Sequence, residues 1–85
     1  MKNQEIIAKA AVQIGLLSAN EAKRMIEAGE DIPMHTLHGW KLRGKYNVKE
    51  DAEPLEVKLW KKQDDGKFYL AKAYLYSKEQ VIKEQ

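Results

Sequence analysis

The residues best equipped for chemistry in this chain lie in one run, GWKLRGKYNVK, from Gly39 to Lys49. Lys41, Arg43, Lys45 and Lys49 stand there beside Trp40 and Tyr46, with no acidic residue among them. Cations interleaved with aromatics are what a single nucleic-acid strand needs: lysines for the phosphates and ring faces for the bases. The same run also reads as the wet side of a small domain whose aromatics face inward. A second cluster follows in LEVKLWKK, Leu55 to Lys62. Its strict alternation predicts a strand with Leu55, Val57 and Leu59 on one face and Glu56, Lys58, Trp60 and Lys62 on the other. A tryptophan set among lysines on the polar face is either a stacking platform or a surface covered by a C-terminal helix or a partner chain.

Other chemistry finds little footing. His35 and His38 are three apart, yet a metal needs a complete ligand set, so both read as exposed histidines at a helix start. Ser18, Thr36 and Ser77 stand where helices begin, and capping accounts for them. Glu50, Asp51 and Glu53 fit a solvated loop before Pro54. There is no cysteine, which excludes disulfides and thiolate chemistry and points to a reducing, cytoplasmic setting. No stretch is apolar for long enough to span a membrane. The expectation is a protein without catalytic residues, metal or cofactor.

Charge is uneven along the chain. Residues 1–34 hold four basic and five acidic groups, residues 35–63 seven against four, and residues 64–85 four of each. The positive excess therefore sits in the middle third, where a polyanion would find it.

The elements that must position these residues are legible as one domain, 1–85. Ile7, Ala10, Ile14 and Leu17 predict a first amphipathic helix. Ser18 to Glu21 forms a capping box, and Gly29 ends a second helix carrying Ala22, Met25 and Ile26. Residues 1–29 are thus a helical hairpin. Thr36 caps a short third helix, LHGWKLR, with Trp40 and Leu37 sharing its inward face and Gly44 ending it. Strands follow over Lys45 to Val48, Leu55 to Lys62 and Lys67 to Tyr76, the last two joined by a turn at Asp64-Asp65-Gly66. In the return strand, alternation separates Phe68, Tyr74 and Tyr76 from Tyr69 and Leu75, and leaves open which set faces the core. Ser77 to Gln80 is a second capping box, predicting a short C-terminal helix with Val81 and Ile82. The fold class is α+β, helices packed on a small antiparallel sheet.

Three segments also resemble a known family. They are Thr36-Leu-His-Gly-Trp40-Lys-Leu-Arg-Gly44-Lys-Tyr-Asn-Val48-Lys49, then Leu59-Trp60-Lys61, then Phe68-Tyr-Leu-Ala-Lys72-Ala-Tyr-Leu-Tyr-Ser77-Lys-Glu-Gln80-Val81. In order and spacing they resemble the N-terminal single-stranded-DNA-binding domain of ArdC-type antirestriction proteins, and more closely the short stand-alone relatives of phages and other mobile elements. The resemblance covers about residues 30–82. It implies Trp40, Lys41, Gly44, Val48, Lys49, Trp60 and Lys61 as matched positions, with Gly44 and Val48 structural. The family follows Val-Lys with a basic glycine turn, where this chain has Glu50-Asp51-Ala52-Glu53-Pro54. The metalloprotease-like domain of the full-length proteins has no counterpart here.

Together these readings give two expectations. The first is a non-enzymatic module of a phage or mobile element that binds single-stranded DNA. Lys41, Arg43, Lys45, Lys49, Lys58, Lys61 and Lys62 would contact phosphates, and Trp60 and Tyr46 would stack on bases. The second is an inhibitor of a host defence nuclease of restriction or CRISPR type, with Glu50–Glu53 imitating phosphates. A homodimer through the exposed faces is a further partner expectation.

Overall fold

A computed structural model describes residues 3–84. The chain is α+β: the first helix, with the second packed against it, covers one face of a three-stranded antiparallel sheet, and a third helix covers one end of the other face. Helix α1, Asn3–Gln13, buries Ile7, Ala8, Ala10 and Ala11. It stops earlier than its apolar spacing predicts. Gly15 turns the chain at φ 79°, which leaves Ile14 exposed. Helix α2, Ala19–Ala28, has the predicted capping box: Ser18 Oγ accepts from Glu21 N–H at 3.1 Å and Glu21 Oε1 from Ser18 N–H at 3.3 Å. Gly29 closes it at φ 69°, its N–H donating to Ile26 O while Glu30 N–H donates to Met25 O. That left-handed stop needs a residue without a Cβ penalty.

Strands β1 (Met34–His35), β3 (Leu55–Lys62) and β4 (Phe68–Ser77) form the sheet in the order β1-β4-β3, with β2 (Tyr46–Val48) lying apart. The β3–β4 hairpin runs from Leu55 opposite Leu75 to Lys62 opposite Phe68. Its loop is fixed by Gln63 N–H to Lys67 O at 2.7 Å and by Gly66 at φ 87°. Leu59, Ala73 and Leu75 join Ile7, Ala8, Ala11, Ala22, Ile32 and Met34 in the core. Alanines on α1 leave room for it to lie close to the sheet, and α2 packs against α1 through Ala22.

The C-terminal segment departs from expectation. Lys78–Gln80 is a single 3-10 turn, and Val81–Lys83 is strand β5, antiparallel to β2 with Tyr46 opposite Lys83 and Val48 opposite Val81. Ser77 N–H does donate to Gln80 Oε1 at 2.9 Å, so the local helix-start signal is real. Pairing with β2 then takes the backbone groups that a longer helix would have needed. β-Branched Val81 and Ile82 suit that choice.

Among the described residues no helix is long and apolar enough to cross a membrane.

Candidate functional site

Helix α3, Leu37–Arg43, has Thr36 as N-cap, its hydroxyl accepting from Gly39 N–H at 3.0 Å. The helix plants Trp40 on the sheet. Trp40 is 5% exposed and its indole N–H donates to Tyr76 O at 2.8 Å. The His35 ring meets it edge-on at 4.9 Å and the Tyr46 ring lies tilted at 5.0 Å. Leu37, predicted to share this inward face, is instead exposed.

Three sequence expectations are corrected in this cluster. His35 is buried, where an exposed histidine was expected. Its Nε2 lies 2.9 Å from Asp31 Oδ2. Desolvation holds its pKa below the ordinary value, opposed by the hydrogen bond to Asp31. The Arg43 bond, aided by His35, holds the Asp31 carboxyl low, so the neutral imidazole carries its proton on Nε2 and donates. Arg43 is not a free phosphate contact. It grips Asp31 with two bonds, Nε to Oδ2 at 2.9 Å and Nη2 to Oδ1 at 2.8 Å, and its Nη1 donates to Gly39 O at 2.9 Å. That grip raises the arginine's own pKa. Tyr46 is not a free stacking surface. One side of it packs on Trp40, and Lys83 Nζ sits 5.9 Å from its ring centroid.

The Trp60 region is different. The antiparallel register places Trp60 opposite Leu70, Lys58 opposite Lys72, Lys62 opposite Phe68 and Glu56 opposite Tyr74. Directly opposed residues share a face, so all eight lie on the side turned away from α1. Phe68, Leu70 and Tyr74 are 53%, 47% and 45% exposed, and Trp60 is half-buried. The question left by alternation in β4 is thereby answered. Leu75 faces the core, Tyr69 of the same parity is exposed near the hairpin end, and Phe68 and Tyr74 extend the Trp60 surface. Leu70 and Lys72 belong to it too and were missed by sequence reading. The two-residue alternation from Trp60 through the Gly66 turn was the signal that could have found them.

Asn3 fixes Trp60 from the side. Its Oδ1 accepts from Trp60 N–H at 2.7 Å and its Nδ2 donates to Trp60 O at 3.0 Å. Trp60 thus turns its backbone groups away from β4. Lys58, two residues earlier, has the same orientation, and its pair with Lys72 is of the closer, non-hydrogen-bonded kind. The two lysine side chains therefore leave the sheet side by side, one step along the ladder from Trp60. Glu56 offsets one of them, 3.7 Å from Lys72 Nζ, on an exposed surface where such a pair contributes little.

A groove of about 410 Å³ opens beside Trp60, lined by Asn3, Thr36, His38, Trp60, Lys61 and Lys72 among others. Lys41 stands three residues on from His38 and shares its side of α3. Lys61 has the parity of Leu59, off the Trp60 face, yet it edges the groove. Lys45 and Lys49 flank β2 and do not line it. Among the described residues no group of three or more histidines and carboxylates is placed to hold a metal.

No family model, no curated protein and no solved structure matches this chain.

Proposed function

We propose that the open face of the β3–β4 hairpin binds single-stranded nucleic acid, and that the chain is a small non-enzymatic DNA-binding module of the kind found in mobile elements. The observation that carries this reading is the pair Lys58 and Lys72, directly opposed beside a half-exposed tryptophan. Like charges facing across a ladder are unfavourable by themselves. A phosphate between them relieves the repulsion, and the adjacent Trp60, Leu70 and Phe68 give unstacked bases a surface. A duplex keeps its bases inside and cannot use that surface, so single strands are preferred. The resemblance to ArdC-type modules points the same way. Lys58, Lys62 and Lys72 are the main phosphate contacts, with Lys61 at the groove edge and Lys41 on the His38 side of α3.

Anisotropy of a labelled oligothymidylate tests this. Three phosphate contacts give a log–log salt slope of about −2 for a single strand, roughly a 20-fold loss between about 50 and 200 mM salt. Absence of binding at the lower salt removes the proposal.

A second reading rests on a different groove. Glu53 and Glu79 line a cavity of about 390 Å³ with Ile14, Met34 and Pro54, and Gln80 Nε2 ties the acidic loop down through Glu53 O at 2.7 Å. An ordered acidic edge beside apolar side chains fits a basic protein surface, such as that of a host defence nuclease. A stoichiometric nuclease partner without oligonucleotide affinity would favour it.

A further inference from the structure

We infer that the groove between Trp60 and the start of α3 is a single-nucleotide pocket, distinct in role from the rest of the open face. This rests on the nucleic-acid reading above and assigns it a specific subsite. The groove, about 410 Å³, is at the small end of ligand pockets, a size for one nucleotide and not for a duplex. Its walls divide by chemistry. Trp60 offers a ring face for a base. Lys72, whose ammonium lies 3.7 Å from exposed Glu56, offers a cation for the phosphate of the same nucleotide. Thr36 and His38 supply polar atoms at the far side. The Thr36 oxygen accepts from Gly39 N–H, which leaves its own O–H to donate outward. His38 is exposed on α3 and carries both a donor and an acceptor when neutral. Asn3, the remaining polar wall, has both side-chain atoms committed to the Trp60 backbone. It holds the tryptophan in place and does not contact the ligand. Lys58 and Lys62 lie two residues to either side of Trp60 and do not line the groove. At about 3.4 Å per residue they stand roughly 7 Å away along the strand, where the neighbouring phosphates of a longer chain would pass.

The assignment separates two classes of lysine by ligand length. Thymidine monophosphate should quench Trp60 fluorescence at millimolar concentration, and the quench should vanish in Trp60→Phe. His38→Ala and Lys72→Ala should weaken the monophosphate and a short oligothymidylate by the same factor, about 3- to 10-fold. Lys62→Ala should weaken the oligonucleotide alone. His38 is an exposed side chain outside the core, and an unchanged circular dichroism melt verifies that its variant is folded. If the oligonucleotide binds through Trp60 but His38→Ala changes neither ligand, or the monophosphate leaves Trp60 unquenched at about 10 mM, the pocket is overturned while the open-face reading stands. If neither ligand binds at low salt, both fall.

Discussion

The chain has two tryptophans, and the surroundings of each show how differently one small sheet treats its ends. Trp40 has its indole N–H bonded, two rings packed against it and a helix above it. The charges nearby are paired as well: Asp31 receives three donors from Arg43 and His35. Trp60 lies on the same sheet with one side open, and of its neighbouring opposed lysines only Lys72 meets a carboxylate, the exposed Glu56. The first region has spent its hydrogen-bonding capacity on itself. The second keeps its capacity for something else. In a chain of 85 residues there is little stability in reserve, so an unspent aromatic face is informative.

Truncating the two rings should separate stability from binding. Trp40→Ala should cost about 3–5 kcal/mol in urea denaturation, a large part of the roughly 4–13 kcal/mol expected for a domain this size. Trp60→Ala should change stability by no more than about 1 kcal/mol yet weaken oligonucleotide binding by about 1–3 kcal/mol. Equal stability losses from the two would break the contrast. Arginine and lysine should separate the same way at smaller scale. Arg43→Ala should lose about 1 kcal/mol of stability through the orphaned Asp31 and His35 and leave oligonucleotide affinity within about twofold. Lys72→Ala should do the reverse.

The smallest effect is a pH dependence of the closed cluster. Burial keeps the folded His35 pKa below 6.5, so the unfolded chain takes up that proton first. Stability is therefore full above about pH 6.5 and declines as pH falls toward the lower folded value. Asp31, whose pKa Arg43 holds below 3.8, adds a second loss below about pH 3.8. Denaturation midpoints across this range should show the first step in the native chain and lose it in His35→Gln.

Much of this was legible in advance where the signal is local. Ser18 with Glu21, Thr36 before α3, Gly29 after α2 and Gly66 in the hairpin each act within a few residues, and the chain obeys them. Trp60 on the polar face of β3 was also readable from alternation. The misreadings share another property, because their deciding partner is distant. Asp31 meets Arg43 across twelve positions and a proline, so composition counted Arg43 as spare charge. Tyr46 looked available until Trp40 closed on it. Val81 to Lys83 followed a genuine helix-start pattern, but β2, more than thirty residues earlier, claimed the backbone. Sequence shows a residue's capacity for interaction. Only the fold shows what remains unused.

The amide of Asn3 has a consequence beyond steadying Trp60. β3 is an edge strand, and an edge is a template on which another chain can extend the sheet. Asn3 makes to Trp60 the two bonds that an incoming strand would make. One side chain, at the first turn of the first helix, thus caps the open edge of the sheet at Trp60. Beside the exposed aromatic surface, it occupies the backbone groups through which another strand would pair at Trp60.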